Sequence, residues 1–427
     1  MADRIRARYD VAIVGGGPAG STAATLLARA GLDVACFERE RFPRFHIGES
    51  LLPASVPLFD RLGLTSRLEG AGFLRKYGAA FIDEADGRQV FFNFRRGPHW
   101  ADHAYNVPRA DFDRLLLDHA AKEGAAVVEG AEVQSLAIER DRVRLEVATD
   151  DGGRYPVEAA FLVDASGRDA VLASRLGRRE PMPSLGKVAL FAHYRGAERW
   201  LERREGYIRI YLFDHGWFWW IPFAGDLTSV GCVLHQRVVK ARQVRLEQLF
   251  EEMVAACPSV AAGLDGATRT TEVLSAANFS YRGTPAVGDR FVALGDAVTF
   301  VDPIFSTGVY IAMQSAELAC PAIVTGFRQG AFRASAFDGY RRRIERGTGL
   351  LFRFIDQYYD PAFLDVFLSP SPPQMLRDAV VTVLVGGAFL HYPLWLRARL
   401  AAVFLGAALR RRSRARQGLA VESRLTW

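Results

Sequence analysis

Residues Tyr9 to Glu38, YDVAIVGGGPAGSTAATLLARAGLDVACFE in one-letter code, restrict this chain to few folds. Val11-Ala12-Ile13-Val14 is a short apolar run with β-branched residues and reads as a buried parallel strand. Gly15, Gly17 and Gly20 then satisfy G-x-G-x-x-G, and the Ala- and Leu-rich stretch Ser21 to Ala30 reads as a helix stopped by Gly31. Leu32 to Phe37 is a second strand, closed by Glu38. Each glycine has a steric task. Gly15 makes the tight turn, Gly17 lets a pyrophosphate reach the backbone, and Gly20 lets helix and strand pack closely. The helix start offers free N–H groups and a positive dipole end to phosphates. Glu38 stands where an acid accepts hydrogen bonds from a ribose 2′-OH. Strand, helix, second strand and acid in register point to a dinucleotide site rather than an ordinary Gly-rich turn.

A chain of 427 residues can bury a large core, and two closely joined parts are expected. Half of the residues are apolar and about a quarter charged, as in a folded globular protein. Cys36, Cys232, Cys257 and Cys320 are scattered without a C-x-x-C, so neither disulfides nor a zinc site are expected and a reducing cytoplasm suits the chain. The opening MADRIRARYDVAIVGGG has no apolar signal-peptide core. Of the net charge of +6, +5 comes from Arg410, Arg411, Arg412, Arg414, Arg416 and Arg424 set against Glu422. The body is near neutral, and no nucleic-acid partner is expected.

After Glu38, residues Arg39 to Pro53 read as a loop that runs along the bound cofactor to a helix near Ala54 to Leu62. His46 and Glu49 read there as surface or loop-bracing groups rather than as acid–base residues. Lys76, on composition, is a solvated charge beside Arg75. Asp83 to Arg88 is a turn between strands, and Asp111 is a plausible N-cap of a helix ending near Glu123. Ala125 to Val147 reads as strands. Ala160 to Asp164, followed by Ala165-Ser166-Gly167, repeats the logic of the first strand. Lys187 to Leu234 is strand-rich and contains Trp217-Phe218-Trp219-Trp220, whose three indole N–H groups need partners. A helix spans Gln243 to Cys257. A third apolar strand, from Asp289, ends in Gly295-Asp296-Ala297, and Asp302 to Gly308 leads to a helix over Val309 to Ala319. Helices run on to about Tyr358. Beyond the Pro-rich break near 370–373, Met375 to Leu409 is apolar but interrupted by charges and prolines, too short between them to span a membrane.

With those stretches laid out, the sequence resembles FAD-dependent oxidoreductases of the glutathione-reductase-like, hydroxylase-type fold. The matching residues are Gly15 to Gly20 with Glu38, Asp164-Ala165-Ser166-Gly167, and Gly295-Asp296, over about the first 325 residues. The resemblance implies an α/β, Rossmann-type FAD-binding module, discontinuous over 1–368. A strand-rich substrate part is interleaved near 75–105 and 180–280, and an apolar helical segment with a basic tail follows over 369–427. It implies FAD contacts from Gly15, Gly17, Ala19, Gly20, Glu38 and Arg39, from Ser50 and Arg109, from Asp164 and Gly167, and from Gly295, Asp296, Pro303 and Gly308. Two more stretches are similar to flavin-dependent halogenases. Trp217-x-Trp219-x-Ile221-Pro222 matches that family's tryptophan signature, and Gly72-Phe73-x-x-Lys76-x-Gly78 the segment with its essential lysine. Phe45 to Leu51 and Asp302-Pro303 look like members acting on phenolic or pyrrolic groups, often on carrier proteins.

The family's chemistry turns reduced FAD, O₂ and chloride or bromide into hypohalous acid. The resemblance implies a halide site at Thr307 and Gly308, a relay to Lys76, and Trp217 and Trp219 as a wall that keeps substrate from the flavin. It also implies a separate flavin reductase as electron supplier. In tryptophan-type members a glutamate precedes the Ser-Thr-Gly; here Phe305 stands there, which turns the expectation toward an electron-rich phenol or pyrrole. Competing readings are an aromatic monooxygenase, a geranylgeranyl-reductase-like flavin reductase of an apolar substrate, and a flavoprotein that only docks a partner. For the basic tail two anionic partners come into question, an acidic carrier protein and the inner membrane surface. The membrane case takes Phe389, Leu390, Trp395, Leu396 and Phe404 as interfacial contacts.

Overall fold

The computed structural model describes residues 5–96, 101–181, 186–277, 280–369, 374–389 and 394–417. Two large sheets organise it. In the first, Arg8–Val14 lies parallel between Val34–Glu38 and Arg154–Asp164, with Ala126–Glu129 outside the former and Phe291–Ala293 outside the latter, all parallel. Val11 to Val14 and the whole of Val34–Glu38 are buried, as continuous apolar runs in a covered parallel sheet should be. The third strand, expected from Asp289, is only three residues long because Gly295 turns the chain at φ +56° into a short 3₁₀ turn.

The second sheet takes Gly78–Asp83 and Gln89–Asn93 from one part of the chain and Lys187–Arg195, Ile208–Phe213, Gly216–Pro222, Leu227–His235, Thr268–Arg269 and Leu274–Ala277 from another. All its pairings are antiparallel except Ile208–Phe213 against Gly78–Asp83. Alternation along Gly216–Pro222 sends Phe218 and Trp220 to a core under the helix Leu246–Ala255, while Trp217, Trp219 and Ile221 face the main core.

That main core also takes in the C-terminal helices. Phe354 and Tyr358 of Asp338–Tyr358, Phe363 and Phe367, Val381 and Leu384 of Gln374–Leu384, and Val403 of Leu394–Arg416 belong to one cluster with Phe81 and Phe92. Phe389 packs on Tyr310, and Phe404 lies edge-on to Phe354, each half-buried against the main core. The side chains of Leu390, Trp395 and Leu396 lie outside what is described. The arginine run is helical to Arg416, with most of its side chains exposed. Arg410 and Arg414, one turn apart, both reach Asp365 at 3.1 and 2.8 Å, and Arg411 reaches Asp360 at 2.6 Å. Arg424 lies outside the described residues. Among these, no helix is long and apolar enough to cross a membrane.

Helix boundaries differ from the sequence reading in several places: the first helix starts at Pro18 rather than Ser21, and the one expected over 243–257 spans Leu246–Ala255. Asp111 is not a cap: Pro108 stands at the N-cap, the helix begins at Arg109, and Asp111 sits in its first turn near the positive dipole end. The helix expected over 309–319 runs from Gly308 to Gln329, straight through Pro321.

Candidate functional site

A cavity of about 790 Å³ lies where the carboxyl ends of the first sheet meet the inner face of the second. The turn Gly15 to Gly20 forms one wall. A Cβ on Gly15, at φ +98°, would stand 2.4 Å from the Ala165 carbonyl oxygen, and one on Gly20 would stand 1.9 Å from that of Gly15. Gly17 differs: a Cβ there would meet only Arg44 Nη2, at 3.6 Å, inside the cavity. Glu38 is buried and its carboxylate closes the turn, accepting from Gly16 N at 2.7 Å and Glu40 N at 2.9 Å.

The loop after Glu38 follows the cavity wall and is held from behind. Arg109 grips Asp113 through two bonds of 2.7 and 2.8 Å and donates to the Ile47 carbonyl at 2.6 Å. His46 lies beside that guanidinium, and burial together with Arg109 pushes its imidazole down to about 3. Glu49 is buried and meets His193 Nε2 at 2.9 Å, tying the loop to the second sheet. Both residues brace the loop; neither is a surface group.

Of the residues expected at the cofactor, Gly15, Gly17, Ala19, Glu38, Arg39, Ser50, Arg109, Gly167, Asp296, Pro303, Thr307 and Gly308 line this one cavity, with Trp217 and Trp219 opposite. Gly20, Asp164 and Gly295 do not line it and act on the backbone instead. The Asp164 carboxylate accepts from Ser166 N at 3.0 Å and Leu172 N at 2.7 Å, and Gly295 N donates to Ser315 Oγ at 2.9 Å. Burial pushes Asp296 up to about 7, against the pull of Arg109 and Arg168. Ser50 Oγ and Thr307 Oγ1 are buried in the wall without a hydrogen-bond partner among the described residues, and Arg39, Arg44, Arg109 and Arg168 add positive charge. A long dinucleotide with an anionic middle and polar rings fits this donor set, so FAD fits.

Lys76 is not a solvated charge. It is 1% exposed, on the strand Leu74–Lys76, with Nζ donating to the Leu51 carbonyl at 3.1 Å and lying 5.2 Å from the Phe94 ring centroid. Burial alone pushes its pKa down from 10.5 to about 7. It faces a small void, about 10 Å³, lined by Leu52, Ala79, Phe81, Phe94, Ile208, Ile304, Phe305, Ser306 and Leu384. Ile208, Ile304 and Ser306 line the large cavity as well, so three side chains form the partition between the two spaces. Trp217 and Trp219 line the cavity but not the void. Their indole N–H groups donate to Tyr359 Oη and Ser229 Oγ, each at 3.1 Å, whereas Trp220 Nε1 has no partner. Phe305 packs edge-on against Tyr358 and Phe354, and no carboxylate is found among the described residues lining the void. The partition escaped the sequence reading, since nothing local distinguishes Ile208 or Ile304 from other core residues.

Comparison with known proteins agrees with this geometry. Residues 8–346 match the model of a family described as an FAD binding domain. A 1H-pyrrole-2-carbonyl-[peptidyl-carrier protein] chlorinase of Pseudomonas fluorescens is 34% identical over 374 residues, 82% of this chain and 83% of its own. A tryptophan 2-halogenase of Chondromyces crocatus is 36% identical over 78% of this chain, which spans 64% of that protein's length. The solved structure of a flavin-dependent brominase superposes with a TM-score of 0.83 at 30% identity, covering 95% of this chain and all of its own. The halogenase reading therefore stands over the monooxygenase and isoprenoid-reductase alternatives, and the chain belongs to the flavin-dependent halogenases.

Proposed function

We propose that this protein halogenates an electron-rich phenolic or pyrrolic aromatic, free or tethered to an acyl carrier protein, with Lys76 handing over the halogen. A buried amine of lowered pKa, one partition away from the FAD cavity, carries this reading. In it the first sheet binds FAD, the segments near 75–105 and 180–280 hold substrate, and 369–427 is the apolar helical part with its basic tail. Reduced FAD, when bound, would supply two electrons and two protons that, with one further proton, turn O₂ and a halide into hypohalous acid and water. Gly17, Arg39, Arg44, Ser50, Arg109 and Asp296 hold the cofactor, while Trp217 and Trp219 bar substrate from its ring. Thr307 and Gly308, at the start of a long helix, hold the halide with N–H groups and a buried hydroxyl. The neutral Lys76 amine attacks hypohalous acid at the halogen, giving a haloamine and water. The aromatic carbon then takes the halogen from nitrogen, and its displaced proton returns to the amine. With Phe305 in place of an acid, no carboxylate among the described residues lining the void stands beside Lys76 to help a sluggish ring, which favours a substrate that is itself electron-rich.

Mass spectrometry of phenols, pyrroles, their carrier thioesters and tryptophan, each incubated with reduced FAD, O₂ and bromide, tests this. Brominated phenol or pyrrole with unmodified tryptophan is expected. Products carrying oxygen in place of bromine would sink it. Thr307→Val should raise the halide KM about tenfold, since a hydrogen bond to a charged group contributes about 1.5–3 kcal/mol; an unchanged KM would place the halide elsewhere.

A flavin reductase as electron supplier and an acidic carrier protein as partner of the basic helix end complete the proposal. The inward-facing Phe389 and Phe404 favour the carrier over a membrane surface. Truncation after Leu409 removes Arg410, Arg411 and Arg414 from Asp365 and Asp360. It should lower turnover of carrier-bound substrate several-fold at low salt and less at high salt, with turnover of a free analogue nearly kept. Equal loss on both substrates would mean that these arginines only hold the helix in place.

A further inference from the structure

Behind Trp217 lies a second buried lysine for which the halogen transfer has no use. Lys187 opens the strand Lys187–Arg195, is 1% exposed, and its Nζ has no hydrogen-bond partner among the described residues. The ammonium sits 4.0 Å from the Tyr359 ring centroid. Tyr359 Oη donates to Asp302 Oδ2 at 3.0 Å and accepts from Trp217 Nε1 at 3.1 Å. Asp302 is fully buried, and its Oδ1 accepts from Ile304 N at 3.1 Å, fixing the turn Pro303–Phe305. One chain of contacts thus runs from Lys187 and Asp302 through Tyr359 to the indole on the cavity wall. Its other arm runs from Asp302 along five residues to Thr307.

Burying opposite charges rarely stabilises a fold more than packed apolar groups would, so Lys187 and Asp302, which meet only through Tyr359, are weakly explained by stability. Burial pushes Lys187 down to about 8 and Asp302 up, while each favours the other's charge. What the network does supply is direction. Asp302 accepts at both oxygens, which leaves the Tyr359 hydroxyl oxygen free to accept from Trp217 and sets the indole edge-on to it. We propose that Lys187, Asp302 and Tyr359 are positioning residues that lock the Trp217 indole and the Pro303–Gly308 turn into one geometry, coupling the flavin wall to the halide niche. Lys187, against the Tyr359 ring, favours the charged form of Asp302 against the opposing effect of burial, and so supports it as an acceptor. This rests on the halogenase reading and adds to it a cause for tight coupling of oxidant formation to halogen transfer.

The test compares holoenzyme carrying Tyr359→Phe, Lys187→Met or both, with FAD occupancy, thermal midpoint, halide KM, kcat and released hydrogen peroxide all measured. Tyr359→Phe deletes one oxygen and keeps the ring under Lys187. For each single variant, FAD occupancy is expected to stay at the wild-type level. The halide KM should rise at least fivefold and the peroxide fraction severalfold, with kcat at saturating halide within about threefold. The double variant should resemble either single one, because both break the same chain. Unchanged KM and peroxide in the singles, effects that multiply in the double, or losses that track FAD occupancy and thermal midpoint would each overturn the positioning role. Wild-type enzyme that makes no halide-dependent product would overturn the halogenase reading, and the positioning role with it.

Discussion

Lys76→Ala and Lys76→Met are expected to lose halogenation by about a thousandfold, the scale on which a positioned acid, base or nucleophile matters, with FAD bound and reoxidised as in wild type. Lys76 lines only the small void, beyond Ile208, Ile304 and Ser306, so its removal leaves the FAD cavity untouched. Hypohalous acid should then escape and be trapped by a soluble thiol or amine at nearly the wild-type rate of its formation. Two further readouts come from burial. The amine is half neutral near pH 7, and turnover should rise with pH through that value if the neutral form attacks the oxidant. Stability follows the same proton. The folded chain holds fewer protons than the unfolded one between about 7 and 10.5, so stability rises with pH across that window and the full penalty applies below it. Desolvation on this scale costs on the order of 5 kcal/mol at pH 6. Lys76→Met should therefore be more thermostable than wild type below pH 7, and its stability less pH-dependent above. Retained halogenation, or loss of FAD, would remove Lys76 from its proposed role.

Most of what the sequence made legible concerns glycine and local sterics. Gly15 and Gly20 are forced by contacts within thirty residues or by one neighbouring strand, and their small size announces both. The tryptophan alternation could likewise be read from a period of two, which correctly separates Trp217 and Trp219 from Trp220. Lys76 shows the limit. Its neighbours Arg75 and Tyr77 suggest a wet strand, and only the resemblance pointed to a role. Its burial comes from Leu52, Phe94, Ile304 and Leu384, brought together by packing across most of the chain. Glu49 with His193, and Lys187 with Asp302 and Tyr359, are hidden for the same reason: each partner lies more than fifty residues from the next. The arginine run falls between these cases. Spacing of four puts Arg410 and Arg414 on one helix face, but nothing in the run names Asp365 as what they meet.

Gly17→Val should abolish FAD binding while leaving the fold intact, and the geometry separates this glycine from its two neighbours in the motif. A side chain at Gly15 or Gly20 collides with backbone at 2.4 or 1.9 Å, so substitution there damages the sheet and the helix before any ligand is considered. At Gly17 the φ of −66° suits any residue, and the nearest atom is the end of the flexible Arg44 side chain. The apoprotein should accept valine with a change in stability below about 1 kcal/mol, the usual range for a substitution without a steric clash. The two methyls would instead occupy the space where the pyrophosphate approaches the N–H groups at the start of the helix Pro18–Arg29. Circular dichroism and thermal midpoint should match wild-type apoprotein, with no flavin absorbance after purification and no binding at added FAD a hundred times the wild-type Kd. Glu38→Ala should weaken binding less, because it frees Gly16 N and Glu40 N and removes an acceptor without filling the cavity. A Gly17→Val protein that keeps its flavin spectrum would show that the pyrophosphate does not cross this turn. A variant that loses both flavin and fold would show that Gly17, like Gly20, is there for packing.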